Sequence, residues 1–111
     1  MQYILENKGH AAVLRFDGDL GASDEPELKK MFIELRREGA NKIAVDMSNV
    51  DFMDSTVIGL FVWGMKNLRE VGGDFRLFGL SEPVRKIFEI THLDRAFYIL
   101  PGETEALESF L

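Results

Sequence analysis

Three side chains that could do chemistry stand side by side at Asp54, Ser55 and Thr56, where the chain changes from a strand-like run to a helical run. Carboxylate and hydroxyl oxygens at such a junction accept hydrogen bonds from the free N–H groups in the first turn of a helix. The same N–H groups, with the positive end of the helix dipole, favour an anion such as phosphate. These residues therefore predict a helix cap, a phosphorylation target, or both at one hydroxyl.

Other catalytic chemistry lacks the residues that it needs. A nucleophilic Ser55 would require a base, but only His92 follows it and the Gly-x-Ser-x-Gly pattern is missing. Neither common phosphate-binding glycine loop is present, and there is no cysteine. Two histidines, His10 and His92, give little support for a metal site, and the acids at 17–24 lack calcium-loop spacing. We expect no enzyme activity, no metal and no cofactor.

The apolar pattern predicts the elements that position these residues. Strands are predicted at 3–5, 11–16, 43–47, 75–78 and 96–100. Helices are predicted to open at Ser23 or Asp24, after Asp54, at Ser81, and at 103, the last running to 111. Strands separated by helices indicate parallel crossovers. The predicted fold class is α/β, a mixed sheet of four to five strands with about four helices mainly on one face, in a single domain over 1–111.

The second helix carries more apolar residues than one inward stripe needs. Its inward stripe is predicted to be Val57, Leu60, Phe61, Gly64, Met65, Leu68 and Val71. Ile58 and Val62 fall on a flank close to Ser55, and Trp63 falls on the other flank. An apolar flank can be a partner surface, or neighbouring helices can cover it, and the sequence leaves both readings open for Ile58 and Val62.

Charge and hydropathy exclude some classes of partner. The 111 residues contain 13 Lys and Arg against 19 Asp and Glu, a formal net charge of −6, which disfavours direct binding of nucleic acid. The longest nearly apolar stretch, 57–65, is too short to cross a bilayer, and the first nine residues lack a signal-peptide core. We therefore expect a cytoplasmic protein with no membrane insertion.

The stretch after the central strand resembles the phosphorylation motif of the STAS domain family, specifically the small single-domain anti-sigma-factor antagonists of bacteria. Residues 52–59, Phe-Met-Asp-Ser-Thr-Val-Ile-Gly, are similar to the family's Asp-Ser-Ser/Thr-Gly-Leu-Gly. Gly18-Asp19-Leu20 resembles the loop before the family's first helix, and 81–94 resembles its third helix and following turn. The likeness covers essentially the whole chain.

The resemblance implies a non-enzymatic binding module that is controlled by phosphorylation. Ser55 matches the serine that a partner anti-sigma factor, itself a serine kinase, phosphorylates; Thr56 is the neighbouring alternative. The unphosphorylated antagonist would sequester the anti-sigma factor and free a sigma factor. Phosphorylation would end that binding, and a separate serine phosphatase would restore it.

A small set of neighbours completes the expected site. Asp54 and Asp19 are expected to shape the surroundings of the switch. The expected partner surface consists of Ile58, Gly59 and Val62.

Two positions depart from the family pattern. Val57 stands where the family usually has Gly, and Gly21 stands where an acidic residue is common. A β-branched residue after the hydroxyl pair is expected to stiffen the first turn and narrow the access of a kinase. The alternative is a constitutive STAS subunit of a signalling or lipid-transport complex, in which Ser55 is only a helix cap and is not phosphorylated.

Overall fold

The computed structural model describes residues 1–111 and contains one five-stranded sheet with four α-helices. The strands are β1 (Gln2–Asn7), β2 (Ala12–Asp17), β3 (Lys42–Asn49), β4 (Asp74–Phe78) and β5 (Ile99–Leu100). The helices are α1 (Glu25–Arg37), α2 (Ser55–Arg69), α3 (Glu82–Ile90) and α4 (Glu103–Glu108), and single 3-10 turns span Ala22–Asp24 and Leu93–Arg95. The predicted α/β class is confirmed.

The strands lie in the sheet in the order β1-β2-β3-β4-β5. β1 and β2 form an antiparallel hairpin, and the remaining neighbours pair in parallel. Parallel neighbours require crossover connections, which α1, α2 and α3 supply. The carboxyl ends of β2, β3 and β4 therefore lie at the same end of the sheet, and α2 begins just beyond that end.

Two layers of unequal size cover the sheet. The larger core joins inward residues of the sheet, such as Leu14 and Val45, to α1, α2 and α3. The opposite face holds a small cluster in which Ala106 of α4 packs with Val13 and Ala44. Three of the four helices thus lie on one face, as predicted. The helical stripe of α2 is buried as predicted except at Val71, which lies exposed after the helix ends.

Several predicted boundaries and caps are wrong. The last strand contains only Ile99–Leu100 and not 96–100, because the 3-10 turn at Leu93–Arg95 draws the N–H groups of Ala96 and Phe97 to the carbonyl of Leu93. The closing helix ends at Glu108 and not at 111.

Two hydroxyl or carboxyl groups that were expected to cap helices bond elsewhere. The Ser81 hydroxyl precedes α3 but donates to the Val50 carbonyl at 2.8 Å. Asp24 precedes α1, and its carboxylate accepts from the Gly21 N–H at 2.9 Å. Ser81 therefore ties two distant parts of the chain together, and Asp24 closes the 3-10 turn before α1. The first turn of each of the two helices is left without a side-chain cap.

Candidate functional site

The segment before α2 is held in place from two sides. On one side the loop after β2 runs beside it, since the Leu20 N–H donates to the Phe52 carbonyl at 3.0 Å and the Asp54 N–H donates back to the Leu20 carbonyl at 3.2 Å. On the other side the Ser81 hydroxyl holds the Val50 carbonyl. The start of α2 is therefore a fixed platform and not a free loop.

Asp54 is the residue that caps α2. Its Oδ1 accepts from the Val57 N–H at 3.0 Å, which is the usual capping bond to the third residue of a helix. Its Oδ2 accepts from the Ala22 N–H at 2.6 Å and so ties the cap to the loop before α1. One half-buried carboxylate therefore makes both structural bonds at this junction.

Ser55 is the first residue of α2 and plays no part in that cap. The residue is exposed, and its hydroxyl makes no hydrogen bond within the protein. The N–H groups of Ser55 and Thr56 are likewise unpaired, as the first N–H groups of a helix are unless a cap reaches them. Of the possible caps that the sequence left open, Asp54 is the one used, so the alternative in which Ser55 serves only as the helix cap is wrong in that respect.

The expected partner residues share one face of α2. Ile58 and Gly59 lie three and four residues after Ser55, and Val62 lies four and three residues after them, so the four residues line one face of the helix. Gly59 is exposed and a Cβ there would meet no atom within 4 Å, so this part of the face is open. Ile58 and Val62 are half-buried and pack against the main core. The neighbouring helices therefore cover part of the flank and leave part of it accessible.

Asp19 and Thr56 lie next to this face. Asp19 is exposed in the loop that pairs with the segment before α2, one residue before Leu20, and its carboxylate makes no hydrogen bond or ion pair. Thr56 is half-buried and its hydroxyl is also without a partner. Trp63, which lies on the other flank, is half-buried with the Lys29 ammonium 5.7 Å from its ring centre.

A family model places this chain among known proteins, since the model described as the STAS domain matches residues 2–106. The chain belongs to the STAS domain family. Anti-sigma-B factor antagonists of Staphylococcus epidermidis and Staphylococcus aureus are each 33% identical to it over 89 residues, which covers 80% of this chain and 82% of theirs.

Solved structures agree with the family. A Thermotoga maritima protein assigned as an anti-sigma factor antagonist superposes with a TM-score of 0.91 at 28% identity, covering 97% of this chain and 93% of its own. The phosphorylated form of SpoIIAA, a Bacillus cell fate determinant, superposes with a TM-score of 0.78 at 25% identity, covering 99% and 100%.

The position at which this STAS domain departs from the family motif does not obstruct Ser55. Val57 is fully buried in the main core, so its side chain points away from the exposed hydroxyl. The Val57 side chain therefore does not cover the Ser55 hydroxyl, and the expected stiffening of the first turn stays a prediction. At the second departure, a Cβ on Gly21 would stand in ordinary contact, 3.6 Å, with Oδ2 of Asp54, so an acidic side chain there would add a like charge close to that carboxylate.

Phe52 is a surface residue that the sequence did not single out. Its ring is 50% exposed, three residues before Ser55, while its carbonyl is fixed by the Leu20 N–H. Met53 beside it is buried, so Phe52 is forced outward by the extended backbone. An exposed aromatic on a rigid segment is the kind of side chain that is enriched in protein interfaces. In sequence it could not be distinguished from a core residue.

Each helix of this STAS domain is too short or too polar to span a lipid bilayer.

Proposed function

We propose that this STAS domain is an anti-sigma-factor antagonist that is switched off by phosphorylation of Ser55. The observation that best supports phosphorylation of Ser55 is made at the start of α2. There Asp54 makes the structural hydrogen bonds, and the exposed Ser55 hydroxyl makes none. A group can be added to such a hydroxyl without breaking a bond of the fold. The names of the staphylococcal relatives and the phosphorylated form of SpoIIAA support the same role.

The proposed partner is an anti-sigma factor with serine-kinase activity. It transfers the γ-phosphoryl group of ATP to Oγ of Ser55: the bond from the γ-phosphorus to the bridging oxygen breaks, ADP leaves, and a base of the kinase takes the hydroxyl proton. This domain supplies only the acceptor and the docking surface, so it is a binding protein and not an enzyme. A separate serine phosphatase hydrolyses the phosphoserine and returns the domain to its binding state.

The proposed docking surface consists of Phe52, Ile58, Gly59 and Val62. Phe52 provides an exposed aromatic anchor, and Gly59 allows the partner's backbone to approach the helix closely. Ile58 and Val62 add apolar area along the same face. Because Ser55 lies on that face, its modification acts directly within the interface.

Phosphate ends docking through charge and desolvation. It adds a charge of about −1.5 to −2 at pH 7, beside Asp54 and close in sequence to the exposed Asp51. A partner that covers this face would have to remove water from the added charge, which is unfavourable without a cation opposite it. Within the domain, the unpaired N–H groups of Ser55 and Thr56 offset part of the repulsion, so the fold tolerates the phosphate.

The phosphorylation is tested with the cognate kinase. The purified domain is incubated with the kinase and ATP, and the phosphate is located by mass spectrometry in the native chain, Ser55→Ala and Thr56→Val. We expect label at Ser55 that persists in Thr56→Val and disappears in Ser55→Ala. Label at neither residue would remove the switch and leave the constitutive subunit as the better description.

The docking surface is tested with one variant and a matched control. Val62→Asp places a carboxylate on the proposed face, and we expect it to weaken binding to the anti-sigma factor by at least about tenfold, roughly 1.4 kcal/mol. Val71→Asp makes the same change at an exposed valine beyond the end of α2 and should bind like the native domain. Thermal unfolding of both variants verifies that they are folded. Equal binding of Val62→Asp and Val71→Asp would exclude this face.

A further inference from the structure

The two edges of the sheet differ in how they are protected. The β5 edge is only two residues long and is followed directly by Pro101, and short strands and prolines are common ways of preventing edge pairing. The β1 edge is six residues long and pairs with β2 in an uninterrupted register from Gln2↔Asp17 to Asn7↔Ala12. Only the β1 edge is long and regular enough to accept another strand.

The pairing pattern shows which backbone groups of β1 are free. The Lys8 N–H donates to the Ala11 carbonyl, and in an antiparallel ladder hydrogen-bonded pairs alternate with pairs that are not hydrogen-bonded. The pairs of Glu6, Ile4 and Gln2 with β2 are therefore the hydrogen-bonded ones. The N–H and C=O groups of Tyr3, Leu5 and Asn7 consequently point away from β2 toward the open edge.

The side chains of β1 are apolar where an edge strand is usually charged. Tyr3, Ile4 and Leu5 are 40%, 62% and 43% exposed. The strand contains no Lys, Arg or Pro, and Glu6 is engaged by the Arg15 guanidinium at 2.6 Å. Natural edge strands discourage pairing with charged residues, prolines or bulges, and β1 has none of these except the neutralised Glu6.

We propose that β1 is a dimerisation edge at which a second copy of this chain adds its own β1 in antiparallel orientation. The two-fold axis is perpendicular to the sheet and passes midway between Ile4 of one copy and Ile4 of the other, and the two sheets become one continuous sheet. The interface is isologous, so each β1 strand presents its outward N–H and C=O groups to the C=O and N–H groups of the other.

The self-complementary register of this strand favours a second copy of the chain as its partner. With Ile4 opposite Ile4 of the second copy, Tyr3 stands opposite Leu5 and Gln2 stands opposite Glu6. The outward backbone groups of Tyr3 and Leu5 then form the hydrogen-bonded pairs, and Ile4 lies in a closer pair without hydrogen bonds. Every apolar residue meets an apolar residue, and the Gln2 amide can donate to the Glu6 carboxylate.

Competing registers fit less well. A shift of two residues in one direction centres the pair on Leu5 and places Ile4 opposite Glu6 and Tyr3 opposite Asn7. The same shift in the other direction centres the pair on Tyr3 and places the polar Gln2 opposite Ile4. A shift of one residue is excluded, because it would set outward N–H and C=O groups against inward ones. A pair of six-residue strands is smaller than a standard interface of about 1,200–2,000 Å². We therefore expect a reversible dimer with a dissociation constant in the micromolar to millimolar range.

The dimer does not depend on the proposed switch. β1 lies at the side of the sheet, whereas Ser55 lies beyond the carboxyl ends of the parallel strands. A dimer would therefore present two copies of the Ser55 face, and failure of either proposal leaves the other intact.

The first test is the mass in solution as a function of concentration. Sedimentation of the native chain should shift from the 12.6 kDa monomer toward twice that mass as its concentration rises. Ile4→Lys sets two like charges together at the axis and should remain monomeric over the same range. Ile90→Lys, at an isoleucine that is 77% exposed in α3, is the matched control and should dimerise like the native chain.

The second test fixes the register by cross-linking, which is clean because the chain has no cysteine. Ile4→Cys should form a symmetric disulfide dimer under mild oxidation, since Cα atoms in such a pair lie about 4.5 Å apart, within disulfide range. Leu5→Cys should not, because its nearest copy would lie diagonally. A native chain that is monomeric throughout, an Ile4→Lys that dimerises, or cross-linking that is stronger at Leu5 than at Ile4 would each overturn the proposal.

Discussion

Replacing Asp54 with Ala should destabilise this domain far more than replacing the adjacent Ser55. The Asp54 carboxylate accepts from the Val57 N–H at 3.0 Å and from the Ala22 N–H at 2.6 Å, whereas the Ser55 hydroxyl accepts and donates no hydrogen bond. The bond to Val57 caps the N-terminus of α2, and the bond to Ala22 joins α2 to the loop before α1. Asp54→Ala removes both bonds, and Ser55→Ala removes neither.

The magnitude follows from these two bonds. Loss of an N-cap side chain costs about 1 kcal/mol of unfolding free energy, and loss of a hydrogen bond to a charged group costs about 1.5 kcal/mol or somewhat less where water replaces it. Asp54→Ala should therefore lose about 2–3 kcal/mol, and Ser55→Ala less than about 0.5 kcal/mol. For a domain of this size, the larger loss corresponds to a fall in Tm of roughly 8–20 °C.

Urea unfolding followed by circular dichroism measures both variants under identical conditions. Asp54→Asn is an informative intermediate, because its single amide oxygen can keep one of the two bonds but carries no charge. The expected order of stability is native, then Ser55→Ala, then Asp54→Asn, then Asp54→Ala. If Ser55→Ala lost as much stability as Asp54→Ala, the hydroxyl would be the cap and the separation of cap from switch would be refuted.

Three further variants follow from other contacts. Gly59→Ala should raise the unfolding free energy by about 0.5–1 kcal/mol, because a Cβ there meets no atom within 4 Å and Gly is a poor helix former. The same variant should weaken partner binding if the partner approaches that surface. Calorimetric unfolding measures the first effect, and a binding titration measures the second. Gly73→Ala should lose more than about 2 kcal/mol, since a Cβ would stand 1.8 Å from the Asn41 carbonyl oxygen, and a wild-type urea midpoint would contradict this close approach. Asp46→Asn should reduce the loss of unfolding free energy that the native domain shows as the pH falls into the acid range. Burial alone would raise the pKa of the Asp46 carboxyl, but hydrogen bonds from Ser48 and Arg15 together hold it below the usual value. Its contribution is therefore present above the unfolded pKa and is lost as the pH falls through the folded pKa, and a Tm series from neutral to acid pH that is identical in both proteins would contradict it.

The sequence predicts those features that depend on local pattern. The buried stripe of α2 is determined by helical periodicity, so Val57, Leu60 and Phe61 were identifiable as core residues from spacing alone. Strands separated by helices likewise indicate parallel pairing, and the sheet has that topology. These features are predicted correctly because they depend only on residues that are close together in the sequence.

Features that depend on distant groups could not be predicted in this way. Asp, Ser and Thr are all good caps, and the cap that is used, Asp54, is also held by the Ala22 N–H, which arrives from another part of the chain. Ser81 was expected to cap α3, but the Val50 carbonyl draws its hydroxyl away. The predicted length of β5 is wrong for a related reason, since the turn at Leu93–Arg95 uses backbone N–H groups that a longer strand would need.

The side-by-side placement of a structural carboxylate and an unbonded hydroxyl has a consequence for regulation. If Ser55 were the cap, adding phosphate would break the bond that starts α2, and binding would be lost together with stability. With Asp54 as the cap, the charge of Ser55 can change while Val57 and Ala22 keep their hydrogen bonds. The phosphorylated domain should therefore unfold at nearly the same urea concentration as the unmodified domain while binding its partner far more weakly. Such a switch acts on the interface alone, and so it can be reversed by a phosphatase without refolding.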